Sequence, residues 1–242
     1  MNFYDSILGW IIILGSIIPY GIQYYKIFIT SSVEGISGLM LLNGCISSFF
    51  SLLAIIFNNF YLITNIDDYV EKYLLTVPII QLATPFTLLE INYLLFFLYS
   101  INRKPKYIYI CWHIIQVSIL TIIFPILIIF LYNIKSVYII FNVISGGFSL
   151  IMWLPQMITT IKKKNSGALS VTSLIIQAIG CISVIVFQLL DDTSITIIIP
   201  YVIGGACEIT LVIICTYYNY ISTQNEKSLP LDEHFIHVNN EI

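Results

Sequence analysis

The residues that decide the fold read QYYKIFITSSVEGIS from 23 to 37 and QMITTIKKKNSGALS from 156 to 170. In both blocks the same number of residues separates the first glutamine from the last serine. Each block begins near the end of an apolar stretch, crosses a short polar loop and enters the next apolar stretch. Because matched spacing at two distant places indicates an internal repeat, we expect two copies of one structural unit.

The composition is that of an integral membrane protein. Of the 242 residues, 58% are hydrophobic and only 10% are charged, whereas soluble domains have about 45–50% apolar and about 25% charged residues. So few charges could not cover the surface of a soluble enzyme of this length, and a disordered chain would be far less hydrophobic. A spanning helix needs roughly 20 apolar residues, so the chain has room for about seven spans and short loops.

Hydropathy predicts seven membrane spans. They are helices, because lipid offers the backbone no hydrogen-bond partner and each span must satisfy its own. The predicted ranges are 7–28, 36–57, 73–99, 107–131, 137–161, 171–190 and 195–220. Because each copy of the repeat holds an odd number of spans, one linker helix between the copies keeps them parallel in the membrane.

The predicted fold is therefore all-α, with two parallel three-helix bundles joined by a linker helix in a 3+1+3 order. The first repeat covers 7–99, and the linker helix with its loops covers 100–136. The second repeat covers 137–220, and a polar tail follows at 221–242. Opposite ends of an odd number of spans lie on opposite sides of the membrane.

The basic residues set the expected orientation. Eight of the ten lysines and arginines fall on one side of the predicted topology, and the positive-inside rule makes that side cytosolic. The N-terminus is then lumenal and the tail cytosolic. The eight are Lys26, Arg103, Lys104, Lys106, Lys162, Lys163, Lys164 and Lys227.

The two blocks also carry a family resemblance. WLPQ at 153–156, the basic run at 162–164 and GALS at 167–170 resemble a PQ-loop repeat. PYGIQY at 19–24 resembles a degenerate first copy, in which Ile22 replaces the second proline of a Pro-Tyr-x-Pro-Gln-Tyr form. The family includes lysosomal exporters of cystine and cationic amino acids, and a mannose-phosphate-dolichol utilisation factor. Its wider clan includes the SWEET sugar transporters and the KDEL receptors.

The resemblance implies a secondary transporter of a small polar metabolite, with an amino acid favoured, in an endolysosomal or other endomembrane. The alternative is a non-transporting scaffold that acts in cargo recognition or in lipid or glycolipid homeostasis. A seven-helix receptor is disfavoured because no lysine lies deep in a span for a retinal Schiff base. A membrane enzyme is disfavoured because no nucleophile–base or metal cluster is recognisable.

The prolines of the two motifs are candidate hinges. Pro19 and Pro155 lie inside the first and fifth spans, and each removes a backbone hydrogen bond and bends its helix. With Gln23 and Gln156 they form the expected hinge and motif positions. The alternative is that proline is simply common in membrane helices.

Two glutamates are the only acidic residues deep in the predicted spans. Glu90 precedes Tyr99 by as many residues as Glu208 precedes Tyr217, so we expect both carboxyl groups at a similar depth. Burial favours the neutral carboxyl group, which could then bind and release a proton as its exposure changes. The alternative is a protonated glutamate that only bonds neighbouring helices.

Further polar side chains could line a substrate pathway: Asn43, Gln81, Asn92 and Gln177. His113, at the start of the fourth span, is expected at the cytosolic interface without a ligand role. The five cysteines are expected to be small buried hydrophobic residues, because all lie in apolar stretches. No cofactor, metal or catalytic residue is predicted, and without a basic stripe no nucleic-acid partner. The expected partners are the bilayer, a small molecule and protons.

Overall fold

The computed structural model describes residues 3–101, 103–131, 135–190 and 195–228. All regular structure in these residues is helical. In chain order the elements are α1 Phe3–Thr30, α2 Gly38–Asn65, α3 Tyr69–Tyr99, α4 Arg103–Ser118, a π-helical segment Ile119–Ile123, α5 Phe124–Leu131, α6 Lys135–Ile151, α7 Trp153–Lys163, α8 Val171–Leu190 and α9 Ile195–Ser228.

These elements form the seven predicted spans. Span 4 consists of α4, the π-helical segment and α5, and span 5 consists of α6 and α7. Among the described residues, six helices are long and apolar enough to cross a membrane, and the apolar part of α8, Val171–Val186, is shorter. The predicted all-α membrane fold is confirmed. The last helix continues to Ser228, so the first part of the expected tail is helical, and residues 229–242 lie outside the described part.

The fifth span is interrupted within one turn of Pro155. Pro155 has no N–H to donate to the Ile151 carbonyl, and its ring would clash with that carbonyl in a regular helix. Accordingly α6 ends at Ile151 and α7 begins at Trp153. The first span, in contrast, is a single helix through Pro19.

The helices pack in the 3+1+3 order. In the first repeat α3 packs against α1 and α2, and in the second α9 packs against α8, α6 and α7. Between the repeats α2 packs against α6 and α1 against α8. The first helix of each copy therefore contacts the second helix of the other, as two parallel copies about a pseudo-two-fold axis require. The linker span contacts α3 and α2.

The centre of the core is one face of α2. Its fully buried residues recur at every fourth position, the spacing of a single helix face. They are Leu41, Cys45, Phe49 and Leu53. Phe49 also contacts rings from α3 and α4, Phe86 and Trp112. This helix therefore holds both repeats and the linker together.

The cysteines only partly follow the expectation. Cys45 and Cys215 are fully buried, and Cys181 and Cys207 are partly buried. Cys111 is exposed on α4, so the expectation of a buried thiol was wrong there. Its span has few neighbours in the fold, which leaves one face of α4 open to the surroundings.

Candidate functional site at the contact between the two repeats

The segments that follow α1 and α7 have the same backbone path. Each helix is followed by a residue in the left-handed conformation, Ser31 with φ +46° and Lys164 with φ +52°, which is a common way to end a helix. A tight turn then follows at 33–36, named turn 1, and another at 166–169, named turn 2. Backbone hydrogen bonds of 3.1 Å and 3.0 Å close these turns. The sequence repeat is thus a structural repeat.

The two turns touch through their glycines. Gly35 has φ +91° and Gly167 has φ +53°, conformations that favour glycine. A Cβ atom on Gly35 would lie 2.5 Å from the Ser166 carbonyl oxygen, and one on Gly167 would overlap the Glu34 carbonyl oxygen. Ala168 N–H donates to that same Glu34 oxygen at 2.6 Å. Only glycine allows the two backbones to approach this closely.

Gln156 bonds the turn of the other repeat at two points. Its Nε2 donates to the Gly35 carbonyl at 2.7 Å, and its Oε1 accepts from Ser37 N–H, also at 2.7 Å. Gln156 is fully buried. Its amide group therefore acts as a peptide group would in a sheet, with one donor and one acceptor facing a backbone segment.

Gln23 makes the reciprocal pair of bonds. Its Nε2 donates to the Ala168 carbonyl at 2.9 Å, and its Oε1 accepts from Ser170 N–H at 2.8 Å. Ser170 and Ser37 stand just before α8 and α2, where the first N–H groups of a helix lack intrahelical partners. The two glutamines and the two turns are named the clamp. Sequence reasoning found both glutamines but placed them only at hinges, and it missed the clamp.

Charged side chains support the clamp on one side of each turn. Lys26 Nζ donates to the Leu169 carbonyl at 2.5 Å. Lys163 Nζ lies 3.1 Å from Glu34 Oε1, and both of these side chains are exposed. An exposed ion pair typically contributes about 0–1 kcal/mol, so the buried amide bonds carry more of the contact.

A polar chain runs from α8 to the proline of the first motif. Ser173 Oγ donates to the Pro19 carbonyl at 2.7 Å and accepts from Gln177 Nε2 at 3.0 Å. The structure therefore brings Gln177 next to the first motif, below the clamp. A second polar contact, which the sequence reading did not predict, joins α2 to α6 through the hydroxyl groups of Ser47, Ser51 and Ser145.

Glu208 is buried between α9 and α8. Its side chain is 5% exposed, and Cys181 Sγ donates to its Oε2 at 3.5 Å. Gly205, one turn earlier on α9, lies against Cys181. The small residue lets the two helices approach closely, which places the carboxyl group against the thiol.

Glu90 has different neighbours: three side chains of the linker helix, and the Cys45 thiol on α2. Its Oε1 accepts from Gln116 Nε2 at 2.6 Å and from Trp112 Nε1 at 3.3 Å. Its Oε2 lies 3.4 Å from His113 Nε2. The sequence predicted His113 at the cytosolic interface without a ligand role, and it did not predict this contact with Glu90. Residues 112, 113 and 116 share one helix face, a pattern that could have indicated this contact.

The other candidate pathway residues lie apart from the glutamates. Asn43 and Asn92 are buried on α2 and α3, and Asn92 Oδ1 has no hydrogen-bond partner within the described residues. Gln81 is partly buried on α3, beside Gly9 of α1. Within the described ranges, no hydrogen bond links these three amides to a glutamate. The structure does not gather the candidates into one cluster.

The duplicated bundle and its clamp define a seven-helix membrane protein built from two copies of one repeat. The sequence pattern of the family described as PQ loop repeat matches residues 6–64 and 137–197. The chain belongs to this family, as the resemblance of its two motifs indicated. No curated protein matches the chain significantly, and no solved structure does so either.

Proposed function

We propose that the protein is a secondary, proton-coupled transporter of a small polar metabolite, with an amino acid as the favoured substrate class. The membrane is that of an endolysosomal or other internal compartment. The observation that supports this proposal is the clamp, in which each repeat holds a turn of the other. A contact of this kind can close one end of a pathway between two bundles and can open when the bundles rock apart.

The strength of the clamp suits a reversible closure. The two glutamines make four hydrogen bonds to backbone groups. A hydrogen bond contributes about 0.5–1.5 kcal/mol net, which gives about 2–6 kcal/mol for the set. Shifting a two-state equilibrium from 1:99 to 99:1 takes about 5.5 kcal/mol. Substrate and proton binding can supply a difference of this size, so the clamp is strong enough to close and weak enough to open.

The distribution of basic residues favours a cytosolic position for the clamp. Lys26 and the run 162–164 flank the two turns, and positively charged loops favour the cytosol. On this orientation the N-terminus is lumenal, and the described conformation is closed to the cytosol. A lumen that is acidic would supply the protons for export.

Glu208 is the proposed proton carrier. The carboxyl group is buried, its neighbour is a thiol, and no lysine, arginine or histidine of the described residues lies within ion-pair distance. Such a group is stable when neutral and costly when charged. Protonation would therefore allow it to stay buried, and deprotonation would favour a conformation in which water reaches it. The remaining proposed pathway residues are Glu90, Asn43, Asn92, Gln81 and Gln177.

The proposed hinges are Pro19 and Pro155, each close to its clamp glutamine. The interruption between α6 and α7 lies within one turn of Pro155, so bending there would carry Gln156 away from turn 1. This motion would open the clamp.

A flux assay on the purified protein tests the proposal. The protein is reconstituted into vesicles, and uptake of a panel of labelled amino acids, including cystine, lysine and arginine, is measured with and without a pH gradient. We expect uptake of at least one amino acid that the gradient accelerates. Loss of the gradient effect in Glu208→Gln, with exchange preserved, would support the proton carrier. The same variant with full gradient-driven uptake would refute it.

Two further results distinguish the alternatives. Uptake that the gradient does not change would refute proton coupling but retain a transporter. Correctly inserted protein without uptake of any amino acid or hexose would refute the transporter and favour the non-transporting scaffold.

A further inference from the structure

We propose that Glu90 and His113 form a proton-binding pair at the contact between α3 and the linker helix. The pair holds one shared proton, and a second proton ends the attraction between its members. The inference goes beyond the proposed function, because it gives the linker helix, which lies outside both repeats, a proton-dependent contact with the first repeat. It requires no transport step.

The two carboxylate oxygens of Glu90 have different partners. Oε1 accepts two N–H groups, from Gln116 at 2.6 Å and from Trp112 at 3.3 Å. Oε2 and His113 Nε2 are 3.4 Å apart, both are buried, and neither has a hydrogen-bond partner within the described part of the chain. Each atom is therefore the available partner of the other.

The Glu90–His113 pair needs one proton between its two facing atoms. With no proton between them, Oε2 and Nε2 face each other with lone pairs, and two buried acceptors remain unsatisfied, which costs about 1–3 kcal/mol for each group. One proton satisfies both atoms, on the oxygen as a neutral pair or on the nitrogen as an ion pair. With two protons, a neutral carboxyl group faces an imidazolium that has lost its counter-ion.

Among the described residues, no other charged group faces either member of the pair. The titratable groups that face the pair are the thiol of Cys45 on α2, the phenol of Tyr93 on α3 and the phenol of Tyr109 on α4. Thiols and phenols are ordinarily uncharged at neutral pH. The ring of Tyr109 lies 4.3 Å from that of His113, edge to face. Once Glu90 is neutral, the imidazolium has no counter-ion among these groups, so the doubly protonated pair would favour movement of His113 outward.

His113 has room for this movement. Its side chain is 36% exposed, whereas that of Glu90 is 15% exposed. The π-helical segment Ile119–Ile123 begins one turn after Gln116, and such segments are frequent at functional sites because they change the register of a helix. The segment separates the polar face of α4, with its three contacts to Glu90, from the apolar α5. The α4 half can thus move without moving the whole span.

Histidine NMR provides the test. The chain has three histidines, and replacing the two near the C-terminus, His234→Asn and His237→Asn, leaves His113 as the single labelled ring. Its nitrogen signals are followed against pH in the full-length protein. We expect the His113 titration curve to shift when Glu90→Gln is introduced. The matched variant Glu208→Gln should leave the curve in place. Coincident curves with and without Glu90→Gln would refute the pair.

Trp112 gives a second, independent readout. Its indole donates to Glu90 and precedes His113 directly, so its fluorescence should respond to protonation of the pair. In a background with Trp10→Phe and Trp153→Phe, we expect a pH-dependent change in emission that His113→Gln abolishes. A change that persists in His113→Gln would refute the proposal. Neither measurement depends on transport, so failure of the proposed function would leave both results interpretable.

Discussion

Removal of the Gln156 side chain should open the clamp. In Gln156→Ala, the Gly35 carbonyl and the Ser37 N–H each lose a hydrogen bond of 2.7 Å. Leaving one buried polar group unsatisfied costs about 1–3 kcal/mol. Because water can enter at this end once the turns separate, we take the lower value for each group, which gives about 2 kcal/mol. At 1.4 kcal/mol for each factor of ten, the open population should rise about 30-fold.

Cys215 is a natural probe for this opening. The thiol is fully buried on α9, and it interacts with Thr160 of α7 and with Lys26 of α1, directly below the clamp. In a variant that keeps Cys215 as its one cysteine, the rate of labelling by a water-soluble maleimide reports the open population. We expect Gln156→Ala to accelerate labelling about 30-fold when opening is faster than labelling.

Two further glutamine substitutions test whether the clamp bonds cause this effect. Gln224 is exposed on α9, and Gln224→Ala should leave the labelling rate unchanged. Gln23→Ala should act like Gln156→Ala, because Gln23 makes the equivalent two bonds. Unchanged labelling in both clamp variants, with the protein folded, would show that the amide bonds do not hold the turns together.

The remaining predictions concern the turn, the hinge and the ion pair. Gly35→Ala should lower the melting temperature and accelerate the labelling of Cys215, because the added Cβ would lie 2.5 Å from the Ser166 oxygen. Gly21→Ala should do neither, because a Cβ there would have nothing within 4 Å. Pro155→Ala should restore the backbone hydrogen bond to the preceding turn and stiffen span 5. The flux assay should then show slower uptake with substrate binding retained, and unchanged uptake would reject this hinge. Lys163→Ala should change the free energy of unfolding by less than about 1 kcal/mol, measured by thermal denaturation, and a larger loss would show that the exposed pair holds the clamp.

Much of the fold could be predicted from the sequence because it depends on local signals. Apolar length determines the spans, and the matched Gln-to-Ser spacing indicates the duplication. The interruption near Pro155 follows from the missing N–H of one residue. Each of these signals lies within a few turns of the feature that it predicts, so no knowledge of the packing was needed.

The contacts of the site depend on the packing and could not be predicted in the same way. Gln156 bonds Gly35 and Ser37, and no local pattern says that the partner of a motif glutamine lies in the other repeat. His113 was assigned to the interface from its place near the start of a span. Its contact with Glu90 depends on how α4 turns its polar face toward α3, which hydropathy does not specify.

The two repeats also show that the glutamine and the proline of the motif have separable roles. Gln23 makes the same pair of bonds as Gln156, although Ile22 stands where the second repeat has Pro155. The helix is continuous in the first repeat and interrupted in the second. Hydrogen bonding to the opposite turn therefore requires only the glutamine amide. The bonds form whether the helix that carries the glutamine is continuous or interrupted. The two glutamines of the clamp make equivalent bonds. Because only the second repeat has an interrupted helix, the helices that carry these glutamines should differ in stiffness. Bending should then be larger at Pro155 in span 5 than at Pro19 in α1.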